Sequence, residues 1–332
     1  MSRCHPPRYW APMKLSLLDL AAVVEGGTVA QALANTVATA QTAERAGYER
    51  IWLAEHHNMP AVASAATSIV IAHVAAATST IRVGAGGIML PNHPPLVVAE
   101  QFGTLCALYP GRIDLGLGRA PGTDAAATAA LRHRKAGPDA YPRDVAELLG
   151  YFEPAKPNQA VIAVPGAGSE LPVWILGSSP FSAQLAATLG LPYAFAAHFA
   201  PGALLQSLAL YHQQFRPSAR LDAPHTLVAV NAIAAESAAE ARYLATSHQR
   251  VFLDLRRGLR PQARPPVRDL QLSPMERQML DSVLAVSFLG TAAEVQAGLA
   301  DFQARTQASE LMISCNVYDH DLRQRSIAQI AG

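Results

Sequence analysis

Short apolar runs alternate with helix-periodic stretches along this chain. The runs Leu15–Leu18, Ile51–Ala54, Ile81–Gly84, Ile113–Leu117, Val173–Leu176, Tyr193–Ala196, Leu227–Ile233 and Leu311–Ser314 have the length of buried strands rather than helices. Between the first two, Val29, Leu33, Val37 and Ala40 fall at helical spacing, and Gly47 sits where a C-terminal cap belongs. Further helices are predicted from about Ser64 to Thr78, over Glu100–Tyr109, near Asp144–Phe152, over Pro180–Leu189 and Pro201–Phe215, and from Ser237. Two capping boxes, Ser273 with Glu276 and Thr291 with Glu294, open two more, and Val295, Leu299 and Phe302 form the apolar stripe of the second. A final helix closes the chain.

Eight strands, nearly all separated by helices, predict the α/β class: a closed (β/α)8 TIM barrel with insertion loops rather than a doubly wound sheet. An open nucleotide-binding sheet would carry a GxGxxG fingerprint on its first strand-to-helix turn, but Val24–Thr28 reads V-E-G-G-T. The Gly-rich run Gly116–Gly122 has the wrong spacing and contains Pro121. Residues 1–12 read as a flexible leader and 13–332 as one barrel domain. The Arg- and Pro-rich stretch Arg256–Asp269 breaks the rhythm and reads as an insertion, near 254–275.

Composition narrows the function classes. Half of the 332 residues are hydrophobic, enough for a sizeable core, and a formal charge of +1 argues against a general nucleic-acid binder. Cys4, Cys106 and Cys315 are isolated, so neither a zinc cluster nor a disulfide framework is expected, and a reducing compartment is. The first residues hold no apolar signal-peptide core, and Gly190, Pro192, Pro201 and Gly202 divide the least charged stretch into pieces too short to span a bilayer. A cytoplasmic protein without membrane segments is expected.

In a barrel, the polar residues just past each strand face one mouth. They are Asp19; Glu55, His56 and His57; Gly86, Gly87, Asn92 and His93; Arg119; Ser178 and Ser179; and His198. The set has few carboxylates and shows no tight metal-ligand spacing, so no metal is expected. Asp319-His320-Asp321 fits the cap of the last helix better than a metal site. His73, on an apolar helix, reads as a core histidine. Gly177-Ser178-Ser179-Pro180 offers an N-cap serine and a proline at the first helical position. Free backbone N–H groups there would face the mouth as an anion site, with Arg119 from the neighbouring strand supplying a guanidinium fork for a phosphate. The same residues would serve equally as an ordinary capped helix beside a surface arginine. The glycines at 84, 86 and 87 fit either close backbone approach to a flat ligand or small residues needed for barrel packing.

Five segments in order, AEHHNMP at 54–60, GAGGIMLPNHPPLVVAEQFGTL at 84–105, YPGRIDLGLGRAPGTD at 109–124, LGSSPFSAQLAATLGLPYAFAAHFAP at 176–201 and FLGTAAEV at 288–295, carry a resemblance. The chain resembles the bacterial-luciferase-like, flavin-dependent monooxygenases and oxidoreductases, in their single-chain bacterial branch. The resemblance implies reduced FMN in the barrel mouth and O2 as co-substrate. One oxygen would pass to a small organic substrate by way of a flavin C4a-(hydro)peroxide. It assigns His56 and Glu55 to catalysis, with Glu55 orienting His56 or holding its charge and His57 packed behind. It assigns Gly86 and Gly87 to a cis peptide beneath the flavin ring, and Arg119, Gly177, Ser178 and Ser179 to the FMN phosphate. The insertion corresponds to a mobile active-site cover. An NAD(P)H:flavin reductase as electron source and a homo-oligomeric state complete the expectation. Gly118 stands where luciferase itself has a reactive cysteine, which argues against the light-emitting aldehyde reaction but not against oxygen chemistry that belongs to the cofactor. Two alternatives stay open: a deazaflavin-dependent hydride-transfer enzyme, and a non-catalytic flavin-binding protein.

Overall fold

The computed structural model describes residues 13–120, 122–131 and 140–332. Its strands are β1 Leu15–Asp19, β2 Arg50–Leu53, β3 Arg82–Met89, β4 Ile113–Gly118, β5 Val173–Gly177, β6 Tyr193–Ala196, β7 Thr226–Ala234, β8 Ser287–Gly290 and β9 Glu310–Ser314. All pairings between them are parallel, and β1 to β7 together with β9 close into a barrel, β9 lying between β7 and β1. These eight are the strands the hydrophobic runs predict. The helices are α1 Val29–Arg45, α2 Thr67–Ala76, α3 Pro95–Leu108, α4 Ala125–Ala130, α5 Ala140–Phe152, α6 Pro180–Leu189, α7 Leu204–Gln214, α8 Ala238–Arg256, α9 Pro274–Val283, α10 Ala292–Thr306 and α11 His320–Ala331. The predicted leader, 1–12, and Pro121 lie outside the described residues.

Alternate strand residues point into the barrel. Trp52 and Trp174 meet there edge to face at 5.2 Å, among Leu18, Ala194, Leu227, Ala229 and Met312. Their bulk explains two glycines. A Cβ on Gly84 or Gly86 would lie 2.9 Å from a Trp52 carbon, and one on Gly87 2.6 Å from the Gly116 carbonyl oxygen. Of the two readings of this cluster, barrel packing therefore accounts for the missing side chains. The Gly86–Gly87 peptide is cis, as the resemblance implies, and the register of β3 against β4 shifts there, between Ala85 and Ile88.

The lower, N-terminal end of the barrel is plugged by ion-paired side chains. Arg50 reaches Asp114 at 2.6 Å and Glu310 at 2.8 Å, and Arg82 reaches Asp114 at 2.6 Å. Trp52 Nε1 donates to Asp114 at 3.2 Å, and the Ser16 hydroxyl donates to Glu310. Burial alone would raise the Glu310 carboxyl; hydrogen bonding to His225 and Ser16 and the Arg50 charge hold it below its usual range.

Several expectations need correction. The helix α1 forms where the spacing predicts it, with Ala40 buried and Leu33 and Val37 packed against the core, but Val29 is exposed and small residues, Ala32, Thr36, Thr39 and Ala43, complete the buried face. His73 is exposed rather than a core histidine. α3 starts at Pro95, five residues before Glu100, because proline suits the first helical turn. The strand β8 escaped the pattern because it has only four residues, three of them half-buried, and pairs with the upper half of β7. Both capping boxes are present, and Asp319 caps α11.

Residues 257–273 form neither helix nor strand, and they run across the mouth. Arg260 pairs with Asp124 at 2.5 Å and donates to Asn58 at 3.2 Å, while the Ala263 carbonyl accepts from Glu25 N–H at 2.8 Å. The stretch thereby ties the loops after β1, β2 and β4 together.

Candidate active site

Glu55 is the hub of the mouth. It follows β2 and is fully buried. Its Oε1 lies 2.8 Å from Nε2 of both His57 and His93, and its Oε2 accepts the Met89 N–H at 3.0 Å. Burial would raise its carboxyl, but the donors from His93, His57 and Met89 outweigh that and hold it below the usual range. Glu55 therefore clamps the loop after β2 to the end of β3. It does not hydrogen-bond His56, so the expectation that it orients His56 directly is corrected. The reason is the turn: His57, two residues on, comes back over the carboxylate. The sequence spacing also showed no tight metal set, yet the donor atoms of Glu55, His57 and His93 lie within 4.8 Å of one another. Among the described residues, these three are the ones of the mouth that could hold a divalent ion. His93 sits 38 residues from Glu55, which is why spacing along the chain hid the cluster.

His56 points elsewhere. Burial lowers its pKa, opposed by a backbone hydrogen bond with Gly122 and the Glu55 charge. Gly122 has φ +62°, and a Cβ there would come within 3.0 Å of the Glu55 carbonyl oxygen, so a glycine is needed where the β4 loop meets His56. Two other imidazoles share this region. Burial, reinforced by His248 and His56, pushes His198 down to about 3, and burial takes His248 down to about 4. Both are neutral at physiological pH.

The second side of the mouth lies over β4 and β5. The Arg119 guanidinium stacks on the Phe181 ring at 4.3 Å from its centroid, which places it at the first turn of α6. Ser179 occupies the N-cap position of α6 with Pro180 next, but its hydroxyl makes no capping bond. Gly177 faces the Ser182 side chain, whose hydroxyl donates to the Ser179 carbonyl at 2.9 Å; any larger residue at 177 would collide with it. The donor set here, a guanidinium, serine hydroxyls and first-turn N–H groups, fits a phosphate.

Opposite, over β7 and β9, a cavity of about 320 Å³ opens beneath α8 and α9. Asn231, Ser314, Asn316 and His248 line it. Sequence reasoning missed Asn231 and His248. Asn231 did leave a signal, as the one strongly polar side chain in the apolar run Leu227–Ile233. His248 left none, because it lies in a helix whose register alone places it over the mouth.

A barrel whose mouth gathers these imidazoles, a buried carboxylate and a phosphate-type donor set belongs to a class that comparisons define closely. Residues 13–308 match the family model of luciferase-like monooxygenases, and the chain belongs to that family of oxidoreductases. A relative from Escherichia coli named luciferase-like monooxygenase is 51% identical over 314 residues, covering 94% of each chain. Among solved structures, apo-MsnO8 is similar at TM-score 0.84 and 35% identity, covering 96% of this chain and 97% of its own. The fold is also shared with the FMN-bound oxygenating constituent of 3,6-diketocamphane monooxygenase from Pseudomonas putida, at TM-score 0.72 and 17% identity over 97% of each chain. An F420-dependent secondary alcohol dehydrogenase shares it too, at 0.69 and 13%, covering 96% of this chain and 98% of that one. No helix of the described residues is long and apolar enough to cross a membrane.

Proposed function

We propose that this protein is an FMN-dependent monooxygenase that uses reduced FMN and O2 to place one oxygen on a small organic substrate. The observation that carries the reading is Arg119 held on Phe181 beside the uncapped start of α6. An arginine fork and a helix N-terminus are a complete receptor for a phosphate monoester. Arg119, Ser178 and Ser179 would hold the phosphate, Gly177 would let the loop turn above Ser182, and the Gly86–Gly87 backbone would lie under the ring. When bound, the reduced flavin supplies the electrons that activate O2.

The chain's own groups then divide the work. His56, neutral and held at the Gly122 loop, exchanges a proton near the reacting centre. Glu55 is a positioning residue: it fixes the loops that carry His57, His93 and Met89. Residues 257–273 cover the mouth and keep water out.

A deazaflavin-dependent hydride transfer is the second reading, favoured by the shared fold of the F420-dependent dehydrogenase. Parallel fluorescence titrations with FMN and a deazaflavin, followed by turnover under 18O2 with an NAD(P)H:flavin reductase, separate the two. The proposal expects FMN preference and 18O in the product. Deazaflavin preference, or product free of 18O, would overturn it.

A further inference from the structure

The cavity over β7 and β9 says what kind of substrate this mouth accepts. Asn231 lines it and is 6% exposed. Its Nδ2 lies 2.6 Å from the His198 carbonyl oxygen. A carbonyl cannot donate, so the amide orientation is fixed: nitrogen to His198, Oδ1 away from it. Ser287, 3.4 Å from the same nitrogen, gives its own proton to the Leu284 carbonyl at 2.7 Å and can only accept. Oδ1 is buried and has no donor among the described residues. A second orphan, Nδ1 of His198, belongs to the residue whose carbonyl Asn231 holds. On the far wall the Asn316 amide lies 3.4 Å from His248 Nε2.

A buried acceptor left without a donor is costly, and a ligand that supplies an N–H or O–H recovers the loss. Among the described residues no lysine or arginine lines the cavity and Asp281 does, so a carboxylate at this depth would be a buried charge without a cation. Ile233, Leu284 and Leu289 offer an apolar wall for hydrocarbon. We infer that the cavity is a substrate pocket selective for neutral molecules that present an N–H or O–H donor to Asn231 Oδ1. That the bound molecule is then oxygenated rests on the function proposed above; its selective binding does not.

The test uses three probes that share one benzoyl group: benzamide, N,N-dimethylbenzamide and benzoate. Each is titrated by saturation-transfer NMR, with and without saturating FMN, while FMN affinity is measured in parallel. The expected result is benzamide binding roughly three- to tenfold tighter than its dimethyl analogue, the worth of one neutral hydrogen bond. Benzoate should bind least, and FMN should leave benzamide in place. Asn231→Leu should abolish the preference while keeping wild-type FMN affinity; if that variant does not fold, the wild-type series decides. Equal binding of the two amides, preference for benzoate, displacement by FMN, or no benzamide binding at millimolar concentration would each overturn the inference. A donor preference in a protein that fails to bind FMN would instead leave the pocket standing and remove the flavin.

Discussion

The two ends of the barrel use the same kinds of side chain to opposite effect. At the base, Arg50, Arg82, Asp114 and Glu310 pair among themselves, and Ser16 and Trp52 add donors to the carboxylates. The base has one loose edge, since Trp174 Nε1 lacks a hydrogen-bond partner while His225 Nε2 faces Glu310 at 3.8 Å, and neither residue lines the mouth cavity. At the mouth, Glu55 is satisfied as fully as Asp114, yet the same end of the barrel holds an uncapped helix start, the neutral His198 and His248, and a buried amide oxygen without a donor on a residue that lines a cavity. Saturated polar networks hold a fold in one state; incomplete ones beside a cavity are where ligands complete the structure.

That contrast can be broken from either side. The largest effect should come from the base. Arg50→Leu leaves two buried carboxylates short of a cation, and stability to urea should fall by about 3–5 kcal/mol. FMN affinity of the folded fraction should not change. A loss below about 1 kcal/mol would show that the base is not a structural hub.

At the mouth, His56→Ala should lower oxygenation by about 10²–10⁴-fold, the usual range for a lost general acid or base, with FMN affinity kept. His57→Ala removes a donor from Glu55 and should instead lower stability, by about 1–3 kcal/mol. Steady-state turnover and urea unfolding of both variants decide. Wild-type turnover in folded His56→Ala with none in His57→Ala would exchange the two roles.

How much of this was legible in the sequence follows from the range of each signal. All eight barrel strands were, because a buried strand is a local run of apolar residues. The start of α6 was, because Ser179-Pro180 is a contiguous code for a helix N-terminus. The clamp of Glu55 on His93 was not, nor was the base network joining Arg50 to Glu310. Those pairs are made by barrel closure, which brings β1 to β9 and β2 to β3, and no spacing along the chain announces them. The choice between His56 and His57 as the partner of Glu55 turned on one loop bend that the pattern does not encode.

The pH dependence sharpens the comparison further. His198 and His248 titrate at about 3 and about 4 in the folded protein, both depressed by burial. Unfolded, each takes up a proton near 6.5, so stability is full above that pH and falls as the pH drops toward 4. The slope is at most about 1.4 kcal/mol per pH unit for each proton. His248→Gln should flatten the urea-derived slope between neutral pH and 4 relative to wild type; an unchanged slope would show that this imidazole is not held neutral by the fold. The smallest effect is expected at the cover. The Arg260–Asp124 pair is largely exposed, so Arg260→Ala should barely change stability while speeding hydrogen exchange across 257–273. Unaltered exchange there would mean the pair does not tether the cover.

The central claim is that the open side of the mouth is built for the phosphate of FMN. It is tested most directly by titrating FMN into the wild-type protein and Arg119→Ala and following flavin fluorescence. Saturable binding by the wild type, weakened in the variant by about 1.5–3 kcal/mol, the worth of a charged hydrogen bond, is the predicted result. Equal affinity of the two proteins, or no binding of oxidised or reduced FMN at millimolar concentration, would contradict it.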